Sequence, residues 1–181
     1  MDPRYFVEKT TIVIVSFLSD QIIEECINNI DKSYKIVLVE NSNRDKFKEK
    51  IEKKFPNVKC YLMGYDAGFP KAANYGIKLV KSEFIFLINP DTFPEKNCIK
   101  LLEEFALKNV DSPIFFPVTI KNNNKFSEDF GFFKKKHEKN FKKKFFEIDY
   151  CNGNAIFLRK NFFSKNEVFD ENIFLQFDDT E

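Results

Sequence analysis

Three short apolar runs mark the first half of the chain: Thr11-Ile12-Val13-Ile14-Val15-Ser16-Phe17, Lys35-Ile36-Val37-Leu38-Val39-Glu40 and Glu83-Phe84-Ile85-Phe86-Leu87-Ile88. Their apolar character is continuous, not alternating, as expected of strands covered on both faces of a parallel sheet. Between the runs, apolar positions recur at helical spacing. Ile22, Ile23, Cys26, Ile27 and Ile30 form one stripe; Ala72, Ala73, Ile77 and Val80 form a second; Ile99, Leu102, Phe105 and Ala106 form a third. A charged helix is predicted over residues 45–55 and a strand over 58–62. Strand and helix thus alternate through the first 110 residues, which predicts an α/β fold of repeated βα units with right-handed crossovers.

The second half is patterned differently. Ile114-Phe115-Phe116-Pro117-Val118 reads as a strand, and residues 121–144 are polar and lysine-rich, a loop or hairpin region. Further strands are predicted over 148–151 and 155–158. No internal repeat and no linker divides the chain, so one domain is expected over residues 1–181.

Composition narrows the function classes. Hydrophobic residues make up 43% and charged residues 31% of the 181, a globular balance that excludes wholesale disorder. Lys plus Arg number 29 against 28 for Asp plus Glu, so the net charge of +1 supplies no global field for nucleic acid, and no nucleic-acid partner is expected. No apolar run approaches the roughly 18 residues of a membrane-spanning helix. The first ten residues lack the apolar stretch and cleavage site of a secretory leader. Cys26, Cys60, Cys98 and Cys151 are widely separated with no CxxC pair, as expected of small buried hydrophobes in a reducing compartment, so a cytoplasmic location is predicted.

Ligands of open α/β sheets bind beyond the carboxyl ends of the strands, and the residues ending each apolar run are polar. The first run ends in Ser16 to Asp20, the second in Glu40-Asn41-Ser42-Asn43, the third in Asn89-Pro90-Asp91-Thr92. Thr92-Phe93-Pro94-Glu95 has capping-box spacing with a proline near the first helical position, which predicts a helix starting at once and Asp91 held at the corner. A carboxylate there can bind Mg²⁺ or Mn²⁺, since hard cations use one or two carboxylates when phosphate oxygens supply the rest; a turn aspartate is the alternative. Two glycine-bearing segments, Tyr65-Asp66-Ala67-Gly68-Phe69-Pro70-Lys71-Ala72-Ala73-Asn74-Tyr75-Gly76 and Cys151-Asn152-Gly153-Asn154-Ala155, point to close backbone approach or to ordinary turns. Neither matches GxGxxG or GxxxxGK[ST], which removes the dinucleotide and Walker-type signatures. Phe174-Leu175-Gln176-Phe177-Asp178-Asp179-Thr180-Glu181 places carboxylates after an apolar anchor, either a general base in a cleft or a solvated tail. His137, the single histidine, has no metal-ligand spacing and no triad neighbours.

Together these segments resemble a family 2 glycosyltransferase of the GT-A fold, particularly the rhamnosyltransferase-like branch that builds cell-surface polysaccharides. The resemblance runs from about Thr11 to the last residue. Val39-Glu40-Asn41-Ser42 is similar to the family's VDNxS, and Asp66-Ala67-Gly68-Phe69 with Asn74-Tyr75-Gly76 to NxGFxxAxNxGI. Asn89-Pro90-Asp91-Thr92 resembles its DXD-type metal motif. Phe169-Asp170-Glu171-Asn172-Ile173-Phe174 with Phe177-Asp178-Asp179-Thr180 resembles FDExFFLYxEDTD. Glu40 stands where Asp is usual, Asp66 where Asn is usual and Asp178 where Glu is usual.

The resemblance implies Rossmann-like βαβ units with a mixed sheet, a nucleotide-sugar-binding half over 1–110 and an acceptor-side half over 111–181. It also implies elements beyond the acidic motif, so a chain ending at Glu181 is expected to be a C-terminally shortened domain. The implied reaction is inverting, metal-dependent hexosyl transfer from a dTDP-, UDP- or GDP-linked sugar to a saccharide or lipid-linked saccharide acceptor, with Mg²⁺ or Mn²⁺. The donor-binding residues would be Ser16, Glu40, Asn41, Asp66, Gly68, Lys71, Asn74 and Asp91, with Asp91 also on the metal. Gly153, Asn154, Ala155 and Asp178 would lie on the acceptor side and Asp179 would be the base. The other reading is a non-catalytic nucleotide-sugar-binding remnant or an interaction subunit. A nucleotidyltransferase would carry a glycine-rich basic loop after the first strand, and Ser16 to Gln21 has no Gly, Lys or Arg. The triplets Lys134-Lys135-Lys136 and Lys142-Lys143-Lys144, with Phe132, Phe133, Phe141, Phe145 and Phe146, read as a solvated loop, as a peripheral contact with anionic membrane, or as a single-strand nucleic-acid surface.

Overall fold

The computed structural model describes residues 9–120, 130–131, 147–148, 150–151, 153–163 and 167–174. The first 110 residues form the predicted alternation: β1 (Thr10–Ser16), α1 (Ile23–Asn29), β2 (Lys35–Glu40), α2 (Asp45–Lys54), β3 (Val58–Leu62), α3 (Phe69–Leu79), β4 (Phe84–Ile88) and α4 (Cys98–Lys108). The chain continues through β5 (Ile114–Phe115), β6 (Phe130–Gly131), β7 (Tyr150–Cys151), β8 (Ala155–Arg159) and a 3₁₀ turn at Lys160–Phe162.

One six-stranded sheet has the order β3-β2-β1-β4-β8-β5, and β6 pairs with β7 in a separate ribbon. The strands β3, β2, β1 and β4 are mutually parallel, whereas β8 is antiparallel to both β4 and β5, so the sheet is mixed. Every residue of β1, β4 and β8 is buried, which explains the unbroken apolar runs.

Side chains alternate between two apolar layers. Ile12, Ile14, Ile36, Leu38, Phe84 and Phe86 pack with residues of α1, α2 and α4, whereas Val13, Val15, Val37, Val39, Ile85 and Leu87 pack with α3. On the second face α3 lies close, and Gly76 is the reason: a Cβ there would stand 2.7 Å from Val13 Cγ1 and 3.0 Å from Val39 Cγ2. Val168 and Phe169 pack against the same cluster, bringing a segment from the far end of the chain onto α3.

Three predicted details differ, the smallest being the strand expected over 148–151, which among the described residues is only Tyr150–Cys151. The helix expected directly after Asp91 begins at Cys98 instead, with Asn97 at its N-cap in the left-handed region (φ 68°) and no side-chain cap bond. The Thr92–Glu95 spacing does not cap it, because residues 92–95 run as irregular chain and Cys98 N bonds the carbonyl of Glu95 at 2.9 Å. The strand expected over 114–118 is only Ile114–Phe115, since Pro117 has no N–H to continue the ladder. Among the described residues no helix is long and apolar enough to cross a membrane.

Candidate active site

The parallel register places Ser16 opposite Glu40 at the carboxyl ends of adjacent strands β1 and β2. Both are fully buried. Glu40 Oε1 accepts the Ser42 hydroxyl at 2.5 Å and the Leu18 amide at 3.3 Å. Among the described residues its Oε2 has no partner, and neither has Ser16 Oγ. A buried polar atom without a partner costs about 1–3 kcal/mol, so two of them on paired residues of adjacent strands make this a candidate place for a ligand to complete. Leu18 adopts φ 53°, an uncommon conformation for leucine that aims its N–H at Glu40. At the rim Arg44 grips Asp20 with two bonds of 2.5 and 2.7 Å, joining the loops that follow β1 and β2. That hydrogen bond holds the Asp20 carboxyl below its ordinary range.

Asn41 faces a different task. Its Nδ2 donates to Asp66 Oδ1 at 2.8 Å, its Oδ1 accepts Ala67 N at 2.9 Å, and Asp66 Oδ1 also accepts Gly68 N at 3.2 Å. Asn41 and Asp66 therefore shape the loop entering α3, where Gly68 (φ 77°) precedes Phe69 and Pro70. Lys71 is exposed on the first turn of α3. Asn74 is completely buried and all its carboxamide bonds go to residues 168–171.

One strand over from β1, the chain leaves β4 through Asn89-Pro90-Asp91-Thr92. Thr92 N returns to Asn89 O at 3.1 Å, closing a turn that exposes Asp91. The turn is held from two sides. Asn154 O accepts Asn89 N at 3.1 Å and Thr92 Oγ1 at 3.2 Å, and from α1 the Cys26 thiol donates to Thr92 O at 3.3 Å. Burial first, and then the Asp91 charge, push that thiol up to about 12. The predicted acceptor-side residues thus divide: Asn154 braces the Asp91 turn, Gly153 sits in the turn before β8, and Ala155 turns its side chain into the core. Asp178, Asp179 and the lysine and phenylalanine stretch at 132–146 lie outside the described residues.

Asp91 fits a divalent cation in one specific way. Its carboxylate is exposed and takes no hydrogen bond or ion pair from the described residues, which also contain no cluster of three ligating side chains. A lone hard oxygen donor suits Mg²⁺ or Mn²⁺ where phosphate oxygens complete the shell. Ser42, Leu18 and Cys26 are the contributors not assigned from sequence. Ser42 carried a signal as the last residue of the Glu40 motif, whereas the Leu18 backbone and the Cys26 contact had none.

A mixed sheet of this order, with polar groups at the ends of β1, β2 and β4, is the GT-A glycosyltransferase fold. Residues 11–165 match the family described as Glycosyl transferase family 2, and the chain belongs to that family. No curated protein sequence matches it. Among solved structures it is similar to S. aureus TarS 1-349 in complex with UDP (TM-score 0.67, 17% identity, covering 92% of this chain and 51% of that one). It is also similar to the mannosyltransferase PcManGT from Pyrobaculum calidifontis in complex with GDP-Man and Mn²⁺ (TM-score 0.62, 10% identity, covering 91% and 48%). The chain spans about half the length of these structures.

Proposed function

We propose that the chain transfers a sugar from a nucleoside-diphosphate sugar to an acceptor hydroxyl, with inversion at the anomeric carbon, in cell-surface polysaccharide synthesis of the rhamnosyltransferase-like kind. The observation that carries this reading is the pair of unpartnered buried atoms, Ser16 Oγ and Glu40 Oε2, one strand from an exposed Asp91. The pair offers one hydroxyl and one carboxylate oxygen, which suits the edge of a base or ribose. Asp91, across β1, is set to serve the diphosphate end of the same donor.

In this mechanism Glu40 and Ser16 bind the nucleoside, and the Asn41-braced loop at Asp66–Gly68 closes one wall of the site. Asp91 would hold Mg²⁺ or Mn²⁺, which supplies charge neutralisation for the departing diphosphate. Asn154 and Cys26 keep the Asp91 turn in place. Asp179 takes the proton of the acceptor hydroxyl as its oxygen bonds the anomeric carbon and the bond to the diphosphate oxygen breaks, with Asp178 orienting the base. Gly153 borders the acceptor, a saccharide or a lipid-linked saccharide. A cytoplasmic enzyme resting on the inner membrane face through the basic phenylalanine-rich stretch would meet such an acceptor.

Thermal unfolding of the purified chain with UDP, dTDP and GDP, with and without Mn²⁺, tests the reading. One nucleotide should stabilise the protein in a Mn²⁺-dependent way, by about 2.7 kcal/mol at a hundredfold excess over Kd. Asp91→Ala should abolish the metal-dependent part. A folded sample that responds to no nucleotide overturns the donor site.

A further inference from the structure

We infer that Asn74 is a positioning residue for the segment Glu167–Phe174 that leads into Asp178 and Asp179, and is not a donor ligand. A carboxamide has two N–H groups and two acceptor lone pairs. In Asn74 all four are used: Nδ2 donates to Phe169 O at 2.9 Å and Glu171 Oε1 at 3.1 Å, and Oδ1 accepts Val168 N at 3.0 Å and Phe169 N at 3.1 Å. Every bond of this buried side chain is thus made within the protein, so no bonding capacity remains for a nucleotide or a sugar.

Three further contacts make α3 a cradle for this segment. The Phe69 and Phe169 rings meet edge to face at 5.5 Å. Lys78 Nζ lies 3.7 Å from Glu167 and 3.9 Å from Glu171. Gly68 admits the end of the segment, since a Cβ there would stand 2.5 Å from Phe174 O. Gly68 therefore serves backbone approach by the protein itself, not by a ligand. At its other side α3 starts from the loop that Asn41 braces, directly after Glu40. One helix thus connects the nucleotide end of the site with the stretch of chain that carries the base.

The consequence for the reaction rests on the transferase reading above, whereas the anchoring itself does not, and the experiment separates the two. Asn74→Ser is compared with wild type by hydrogen–deuterium exchange over residues 167–174, by calorimetric titration with UDP, and by kinetics of UDP-GlcNAc and GDP-Man hydrolysis. Exchange in the segment should accelerate about tenfold, as one to two lost hydrogen bonds imply, while UDP Kd and sugar-nucleotide KM stay within about twofold and kcat falls about tenfold. Phe169→Ala, which leaves the carboxamide intact, should reproduce the same split in weaker form and guards against an Asn74 variant that fails to fold. A tenfold loss of UDP affinity with unchanged exchange would make Asn74 a donor ligand and overturn the inference. Faster exchange with unchanged kcat would overturn its positioning role. If wild type hydrolyses neither sugar nucleotide, the transferase reading fails on these probes, while exchange and UDP affinity still decide what Asn74 serves.

Discussion

The two ends of the parallel strands use their polar groups differently. At the amino edge the groups are paired: Thr10 Oγ1 donates to Glu103 at 2.6 Å, the Ser82 and Thr11 hydroxyls lie 2.8 Å apart, and Asn57 Nδ2 donates to Tyr34 O at 3.0 Å. Arg159, also at that edge, bonds Glu83 at 2.8 Å and the Ala106 carbonyl at 2.5 Å, and only its Nε has no partner among the described residues. A cavity of about 640 Å³ opens there, lined by Lys32, Tyr34, Lys35, Asn57, Lys59 and Lys81 among others. At the carboxyl edge Ser16 and Glu40 keep buried atoms unsatisfied. That space lies where most polar groups are paired, whereas two unpaired oxygens lie where the strands end. Unused polar capacity, not volume, is what singles out the carboxyl edge as the candidate site.

The largest effect is expected at the structural edge. Arg159→Ala should lower stability by about 2–3 kcal/mol, because it removes a buried charge-assisted bond to the Ala106 carbonyl, which keeps only the Asn109 N–H, and packing over Phe84, while the surviving Glu83 stays half in water. Urea unfolding gives the loss, and UDP affinity of the folded fraction should be unchanged. A folded Arg159→Ala protein that no longer binds nucleotide would erase the contrast between the edges.

Ser16→Ala should act with the opposite sign. Removing a hydroxyl that has no partner should raise stability by about 1 kcal/mol, while nucleotide affinity falls about three- to tenfold. Urea midpoints and calorimetric titration on one sample read both. Loss of stability with unchanged affinity would show that the hydroxyl is structural.

The smallest effect concerns two buried thiols. Burial above all raises Cys26 and Cys60 to about 12, with Asp91 adding to the first and Glu52 to the second. The native thiols stay protonated while those of the unfolded chain begin to ionise near pH 8.5, so the unfolded state binds fewer protons and stability falls as pH rises. From pH 7 to 8.5 the two thiols together should cost under about 1 kcal/mol, and Cys60→Ala should flatten that slope.

The βα half was legible because its signals are local. Runs such as Ile12–Val15 and stripes such as Ala72, Ala73 and Ile77 carry their own period, and each became the expected strand or helix. The start of α4 was not, because capping-box letters at Thr92 and Glu95 say nothing of the Asn97 backbone in the left-handed region. At the candidate site, the places of Ser16, Glu40 and Asp91 at the strand ends could be read by asking what stands at the end of each apolar run. The work of Asn41 and Asn74 could not, since their partners lie 25 and 95 residues away and a carboxamide looks the same in a ligand site and in a brace. Only the count of bonds per side chain separates them.

The place of β8 sets an order of events for the nascent chain. Because β8 lies between β4 and β5, the flank of β4 waits for residues 155–159 before it can pair, and β5 has no partner until then. With about 70 residues between the end of β4 and the end of β8, synthesis at roughly 5–20 residues per second leaves that flank open for about 4–14 s. During that interval the four parallel strands present a fully apolar, unpaired edge to the cell, the moment at which a chaperone would matter most to this protein.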